Sequence, residues 1–285
     1  MENYHDIDIS TWTKVGEGGE GSTYTNPEYP GVLLKVSNHT LTTGSLETIS
    51  KEFHVSKAVY DLGIPTPEMM EIVRVGEDYG ILGQLIKEKK SLARMSGENP
   101  GSIDQYANRM AGLAKQFHST DANGCEWIPS HKALMLEVLD HTRMIGGKTL
   151  QRIRTFVEGL EDSPTLLHGD FTFSNLIMAD DKPYWIDLGH ATHGLPMFDL
   201  GHFYLFCNIF GKQKRVQDIA HMSADQMIRF WNSFALAYNG PEGLDAFNAE
   251  CKRFAGLSVL MIGHVQNLTF SERFFLGQLA KFLTK

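Results

Sequence analysis

The sequence predicts an α+β fold of two lobes, a small strand-rich lobe over residues 1–86 and a larger helical lobe over residues 87–285. Short apolar runs separated by glycine, asparagine and proline turns fill the first range, as expected for strands. Longer segments with apolar residues at helical spacing follow in the second range. A chain of 285 residues is long enough to bury a substantial core in such an arrangement.

The first lobe is predicted to contain five strands and one helix. The helix covers residues 45–62, because Ile49 and Phe53 begin an apolar stripe of roughly helical period. It ends at residues 63–65, a Gly-Ile-Pro sequence that terminates helices. A turn at residues 76–78 makes a hairpin of the last two strands. The predicted strands are residues 12–15, 22–25, 32–36, 70–75 and 79–86.

The second lobe is predicted to be mostly helical, with short strands on either side of a loop at Asp170. Its first clear helices cover residues 103–118, 132–139 and 149–160. In the C-terminal third, four large apolar residues stand at positions i, i+3, i+4 and i+7, which is the spacing of one helix face. They are Met227, Phe230, Trp231 and Phe234.

Composition excludes several classes of protein. The formal net charge is −8 and no run of lysine or arginine stands out, so we expect no nucleic-acid partner. The longest apolar stretch, around residues 257–262, is too short to cross a bilayer, so no membrane partner is expected. The three cysteines are an odd number without metal-type spacing, which fits a reducing compartment. We expect a soluble cytoplasmic enzyme, and no obligate protein partner is evident.

The most informative stretch is residues 167–177, followed by residues 184–189. It sets Asp170, Asn175 and Asp187 at the ends of short apolar runs. An Asp, an Asn five residues later and an Asp that ends a strand are what magnesium-dependent phosphoryl transfer needs. Asp170 is the predicted general base for the attacking hydroxyl, and Asn175 and Asp187 are the predicted magnesium ligands. The alternative is that both Asp residues merely stabilise turns.

A glycine cluster at residues 16–21 matches the pattern G-x-G-x-x-G, with Gly16, Gly18 and Gly21 at its glycine positions. The same pattern occurs in dinucleotide-binding folds, where it opens a helix. Here the residues that follow are strand-like, which indicates a flexible flap whose backbone N–H groups cover nucleotide phosphates. A plain glycine turn in a hairpin is the alternative.

Lys35 lies inside the apolar strand of residues 32–36. Alternation puts it on the same face as Leu33, which is unfavourable unless its ammonium group has a partner. We predict that Lys35 contacts the nucleotide phosphates and is steadied by Glu52 from the following helix, with Glu47 as the second choice. The alternative is an edge-strand lysine that discourages aggregation.

With these motifs, and with Pro196 and Asp199 after them, the sequence resembles the kinase-like phosphotransferases of the aminoglycoside phosphotransferase and choline kinase type. The resemblance implies a two-lobed protein-kinase-like fold that binds ATP or GTP with Mg²⁺. It implies transfer of the γ-phosphate to a hydroxyl group of a small molecule, such as an aminoglycoside, an amino alcohol or a sugar. It also implies that the lobe junction around Gln84 and Ile86 binds the purine through backbone hydrogen bonds.

Two other functions stay open, a protein kinase and a non-catalytic nucleotide-binding pseudokinase. Eleven residues separate Asp187 from Asp199, which leaves little room for a segment that docks a polypeptide substrate. The presence of all the predicted site residues argues against a pseudokinase. Asp199 is predicted to be structural, as a cap of the next helix and a hydrogen-bond partner of the catalytic loop. A zinc site formed by His190, His193 and His202 is disfavoured, because their spacing fits no metal motif.

Overall fold

The computed structural model describes residues 4–17, 21–37, 46–265 and 268–285. The chain divides into two compact units. The first contains residues 1–89 and 177–190, and the second contains residues 90–176 and 191–285. The segment 177–190, predicted to belong to the second lobe, packs with the first unit. The physical reason is a set of contacts with the helix of that unit, described below.

A six-stranded sheet forms most of the first unit. Its spatial order is β1-β5-β6-β4-β3-β2, and β1 pairs with β5 in parallel while the other pairs are antiparallel. The predicted strands are present, and the two-residue β1 was not predicted. The strands are β1 (His5–Asp6), β2 (Thr13–Glu17), β3 (Gly21–Thr25), β4 (Val32–Ser37), β5 (Met69–Val75) and β6 (Asp78–Gln84).

The two faces of this sheet have separate apolar clusters, as strand alternation requires. Leu34 and Val73 belong to the cluster on one face. Ile72 and Ile81 pack with Ile49 of helix α1 (Leu46–Asp61). The predicted helix end is also present, since Gly63 has a φ of +83° and its N–H donates to the carbonyl of Tyr60.

Residues 177–190, the later segment of the first unit, form most of a hairpin followed by a tight turn. Strands β9 (Leu176–Ala179) and β10 (Lys182–Trp185) form the hairpin, and a 3₁₀ turn covers Leu188–His190. The N–H of Trp185 donates to the carbonyl of Pro65 over 2.8 Å. This packing, together with contacts between the 3₁₀ turn and α1, assigns the segment to the first unit.

Helices form most of the second unit. The principal packing pairs are α3 with α8, α6 with α9, and α9 with α10. The bounds are α2 (Leu92–Glu98), α3 (Ile103–Phe117), α4 (His131–His141), α5 (Gly147–Glu158), α6 (Met197–Tyr204), α7 (Lys214–Ala220), α8 (Ala224–Asn239), α9 (Leu244–Val265) and α10 (Phe270–Leu283). Among the described residues, no helix has both the length and the apolar character that a membrane span requires.

Short elements complete this unit around its loop. They are the strands β7 (Lys90–Ser91), β8 (Leu166–Leu167) and β11 (Thr192–His193), the 3₁₀ turns Pro100–Ser102, Phe173–Asn175 and Phe210–Lys212, and a π-helical segment, Leu205–Ile209. The apolar face predicted for α8 is buried as expected, and its aromatic rings pack against the rings of α6 and of the loop.

Candidate active site

The loop after β8 is sharply bent, and the carboxylate of Asp199 binds its backbone. Gly169 has a φ of +82°, a conformation that a side chain would strain, which explains a glycine at this bend. Asp199 of α6 accepts hydrogen bonds from the backbone N–H groups of His168 (2.7 Å) and Gly169 (2.9 Å). The predicted bonds between Asp199 and the catalytic loop are therefore confirmed. The predicted cap is wrong, because Asp199 lies within the first turn of α6 and its oxygens bind the loop.

Asp199 is ionised although it is only 1 % exposed. Burial by itself raises the pKa of its carboxyl group, but the hydrogen bond and charge of His118, followed by the charge and backbone N–H of His168, outweigh burial and lower that pKa. The Nε2 atom of His118 lies 3.2 Å from Asp199, and its Nδ1 atom lies 2.9 Å from the hydroxyl of Tyr238. A buried negative charge with three donors thus fixes the loop to the helical unit.

Asp170 follows this bend, and both of its carboxylate oxygens have a donor. The amide nitrogen of Asn175 donates to Oδ2 over 2.8 Å, and Nε2 of His202 lies 3.0 Å from Oδ1. Burial raises the pKa of Asp170, but the hydrogen bond and charge of His202, followed by the charge of His168 and the hydrogen bond from Asn175, lower it well below its usual range. The side chain is still 45 % exposed. Asp170 is therefore an ionised, oriented acceptor that a second molecule can reach.

The amide nitrogen of Asn175 fixes the orientation of its side chain. Its nitrogen donates to both the backbone carbonyl and the side chain of Asp170, each over 2.8 Å. Since the nitrogen is used in this way, Oδ1 is the atom left for a metal ion, and an amide oxygen suits Mg²⁺. Asn175 closes the 3₁₀ turn and is 8 % exposed, so its orientation is well fixed.

In the first unit, Lys35 of β4 lies between two carboxylates. Its Nζ atom is 2.5 Å from Oε1 of Glu52 and 3.8 Å from Oδ1 of Asp187. The Lys35 and Glu52 side chains are 20 % and 18 % exposed, so this pair is largely shielded from water. Glu47, the second choice of the sequence analysis, is exposed in the first turn of α1. The structure therefore joins Lys35 to Glu52.

Asp187 is half-exposed and adopts a strained backbone conformation. Its φ is +58°, which few residues other than glycine adopt. The turn that follows lies tightly against α1, because a Cβ atom on Gly189 would come within 2.9 Å of the side chain of Glu52. Lys89 is a second cation near Asp187, which sequence reasoning missed. Partial burial lowers the pKa of Lys89, and the charge of Asp187 opposes that shift.

The glycine cluster connects β2 to β3, so a strand and not a helix follows it. This arrangement excludes the dinucleotide-binding interpretation of the pattern. A Cβ atom on Gly16 would lie 2.6 Å from the hydroxyl of Thr23, and one on Gly21 would lie 2.5 Å from the carbonyl of Val36. Close packing against the backbone therefore requires a glycine at position 21, whereas a side chain at position 16 would have to displace the hydroxyl of Thr23. Gly18 lies outside the described residues.

The predicted purine-binding segment is the end of β6 and the residues after it. The N–H of Gln84 donates to the carbonyl of Glu68, and the N–H of Leu85 donates to that of Gly31. These two donors are therefore engaged within the unit. Ile86 follows and is 7 % exposed.

The histidines near the site do not form a metal centre. Within the described ranges, no group of three or more His, Cys, Asp or Glu side chains is placed to hold an ion. His193 bonds the carbonyl of Ser163, whereas His202 contacts Asp170. Sequence reasoning missed this role of His202. The available signal was its position three residues after Asp199, which puts both side chains on one helix face.

The segment between Asp187 and Asp199 is short and ordered. It consists of the 3₁₀ turn Leu188–His190, the two residues of β11 and the start of α6 at Met197. This segment is too short to contain a long loop of the kind that binds polypeptide substrates.

Comparison with known proteins identifies the family. The model of the phosphotransferase enzyme family matches residues 12–227, more than half of the chain, so the chain belongs to that family. The prediction of a phosphotransferase is therefore confirmed. No curated protein shows significant sequence similarity to the chain.

Solved structures show the same fold at low sequence identity. A thermostable mutant of the aminoglycoside phosphotransferase APH(4)-Ia, in complex with AMP-PNP and hygromycin B, is 14% identical with a TM-score of 0.61, covering 96% of this chain and 93% of its own. A choline/ethanolamine kinase family protein from Mesorhizobium loti is 13% identical (TM-score 0.56; 96% and 88%). The amicoumacin kinase hAmiN is 13% identical (TM-score 0.52; 99% and 90%). The predicted two-lobed kinase-like fold is confirmed.

Proposed function

We propose that the protein transfers the γ-phosphate of ATP to a hydroxyl group of a small molecule in a Mg²⁺-dependent reaction. The observation that carries this proposal is the placement of Lys35 between Glu52 and Asp187. A strand lysine paired with a helix glutamate, next to a carboxylate that binds metal, is the arrangement that kinases use on nucleotide phosphates. It explains why a lysine occupies an otherwise apolar strand.

Each predicted residue has a role in this reaction. Lys35, held by Glu52, binds the phosphates of the nucleotide. Asn175 and Asp187 would each hold Mg²⁺ through an oxygen atom, and the ion would neutralise phosphate charge. Asp170 accepts the hydrogen bond of the acceptor hydroxyl and takes its proton. The lowered pKa of Asp170 makes it a weak base, so its main contribution is orientation of the hydroxyl.

Backbone groups bind the remainder of the nucleotide in this proposal. Residues 16–21, with Gly16, Gly18 and Gly21, cover the phosphates. The purine uses backbone groups of the segment from Gln84 to Ile86 other than the two N–H groups already engaged.

ATP is the proposed donor because two structurally similar proteins, the hygromycin B complex of APH(4)-Ia and the amicoumacin kinase, were solved with the ATP analogue AMP-PNP. Their acceptor ligands are small molecules, which supports a small acceptor here. The short segment after Asp187 favours the same conclusion. The cytoplasmic location stays a prediction.

The test is a turnover screen with Mg²⁺-ATP against pooled hydroxyl compounds, including aminoglycosides, amino alcohols and sugars, read by mass spectrometry. Addition of one phosphoryl group to a small molecule supports the proposal, and a parallel screen with GTP tests the donor. Phosphate found only on added proteins indicates a protein kinase. Nucleotide binding without consumption across the whole panel indicates a pseudokinase and refutes the proposal.

Two variants connect turnover to the site. We expect Asp170→Asn to lower kcat by roughly 10²–10⁴-fold. Asp187→Asn should lower the affinity for Mg²⁺-ATP. Asp180→Asn is the matched control, because Asp180 is exposed and has a similar positive φ of +47° in the neighbouring hairpin turn. Equal turnover of wild type and Asp170→Asn would exclude Asp170 as the acceptor of the hydroxyl proton.

A further inference from the structure

Helix α6 contacts the catalytic loop at two points. Asp199 binds the loop backbone at His168 and Gly169, and His202 contacts the Asp170 side chain over 3.0 Å. Residues three apart share one face of a helix. One face of α6 therefore holds both the path of the loop and the orientation of its functional carboxylate.

The Asp170 carboxylate is held from two sides. His202 lies at Oδ1 and Asn175 donates to Oδ2, so rotation of the carboxylate would break both contacts. Each carboxylate oxygen has a second lone-pair site. With 45 % of the side chain exposed, these sites are accessible to a further hydroxyl donor.

His202 is itself firmly placed, which a positioning residue requires. Its neighbours on both sides, Gly201 and Phe203, are buried. A Cβ atom on Gly201 would lie 2.5 Å from Cβ of Phe254 in α9, so α6 and α9 are in close contact. Phe203 packs edge-to-face on Phe171 and Phe234. Rotation of α6 that moved the His202 imidazole would disrupt these contacts.

We propose that His202 is a positioning residue that donates from Nε2–H to Oδ1 of Asp170 and presents this carboxylate to the acceptor hydroxyl. The inference rests on the proposed function. In the transfer step the acceptor O–H bond breaks and its proton goes to a free lone pair of Asp170. The acceptor oxygen bonds the γ-phosphorus, and the bond from that phosphorus to the β,γ-bridging oxygen breaks with its electron pair leaving on ADP. His202 keeps its own proton throughout.

Two variants separate the hydrogen bond from the ring. His202→Phe keeps an aromatic ring at this place and removes the donor. His202→Gln restores an amide N–H that can bond Asp170. His141→Phe is the control, since His141 is exposed on α4 and bonds the carbonyl of Glu137. Initial rates of ADP formation are measured with Mg²⁺-ATP, both with an acceptor found in the turnover screen and without any acceptor.

We expect His202→Phe to lower kcat by roughly 10–10²-fold, because misplacement of a reacting group by up to about 1 Å has effects of this size. The KM for ATP should stay within about 2-fold, since His202 is proposed to act on Asp170, which binds the acceptor hydroxyl and not the nucleotide. His202→Gln should recover part of the rate, and His141→Phe should match wild type.

The double variant Asp170→Asn/His202→Phe gives the decisive comparison. If His202 acts through Asp170, the double variant is no slower than Asp170→Asn alone. A merely structural role would make the two losses multiply, and that result overturns the proposal. Wild-type kcat in His202→Phe overturns it as well. Absence of ADP formation by wild type under both conditions overturns the proposed function and this inference with it.

Discussion

Replacement of Asp199 by asparagine should destabilise the protein through the catalytic loop. The carboxylate accepts two backbone N–H bonds and one from His118 while almost fully buried. Asparagine has the same shape but presents one oxygen and one NH₂ group. If the amide oxygen still accepts the N–H of Gly169, the NH₂ group faces the N–H of His168. Both of these groups are donors, so no hydrogen bond forms between them.

The magnitude follows from that exchange. A hydrogen bond to a charged group contributes about 1.5–3 kcal/mol, and a buried donor left without an acceptor costs about 1–3 kcal/mol. Because the two effects partly overlap, we expect the free energy of unfolding to fall by about 3 kcal/mol. Turnover should fall as well, since Asp170 follows the released bend.

The assay is urea unfolding followed by circular dichroism and by tryptophan fluorescence, to which the buried Trp12, Trp185 and Trp231 contribute, with equal slopes required before midpoints are compared. Asp104→Asn is the matched control. Asp104 pairs with Arg229 at the surface, where both side chains are about half exposed, and such pairs contribute at most about 1 kcal/mol. If Asp199→Asn were destabilised no more than Asp104→Asn, the idea that the carboxylate holds the loop would be refuted.

Three further predictions concern stability. Asp187→Gly should raise the free energy of unfolding by up to about 1 kcal/mol, because glycine adopts a positive φ without strain, but it should lose turnover. Asp181→Gly, at a φ of +61°, should raise the free energy of unfolding similarly and keep turnover. Equal turnover of the two variants would contradict the role of Asp187. Gly201→Ala should cost about 1–3 kcal/mol in urea unfolding, because its Cβ would overlap Phe254, and a neutral result would contradict that close contact. Burial lowers the pKa of His131 to about 4, from 6.5 in the unfolded chain. Between these two pH values the unfolded chain binds more protons than the folded protein. The free energy of unfolding therefore falls as the pH decreases from 6.5 to about 4, by at most about 3 kcal/mol. His131→Phe should remove that part of the pH dependence, and parallel stability curves for variant and wild type between pH 7 and pH 5 would contradict it.

Local patterns in the sequence predicted most of the secondary structure. The helix at 45–62 and the hairpin that turns at 76–78 depend on periodicity and on glycine turns, which are properties of neighbouring residues. The two-residue β1 was missed because it exists only through pairing with β5, about seventy residues later. The π-helical segment 205–209 was missed for a similar reason, since its sequence is apolar and helix-compatible throughout.

In the candidate site as well, residues identified by local sequence patterns were predicted, and contacts between distant segments were missed. Asp170, Asn175 and Asp187 follow from spacing along the chain, and Lys35 from its misfit in an apolar strand. The spacing from Asp199 puts His202 on the same face of α6, but its contact with Asp170 depends on where α6 packs against the loop, which that spacing does not specify. The position of Lys89 near Asp187 likewise requires the segment 177–190 to fold back onto the first unit.

The strain at Asp187 indicates why the sequence keeps an aspartate there. Positive φ costs most non-glycine residues about 1–2 kcal/mol and costs aspartate less, and glycine would remove that cost at the end of a hairpin, where glycines are common. The strained aspartate brings a half-exposed carboxylate to within 3.8 Å of the Lys35 ammonium, a placement that glycine would forfeit. Packing of the following turn against Glu52 maintains the conformation, so one glutamate supports both the lysine and the strained loop. Asp180 and Asp181 have a similar φ in the hairpin turn, so Asp187 is distinguished from them by its contact with Lys35 and by the packing of its turn against Glu52, which together are typical of a functional position.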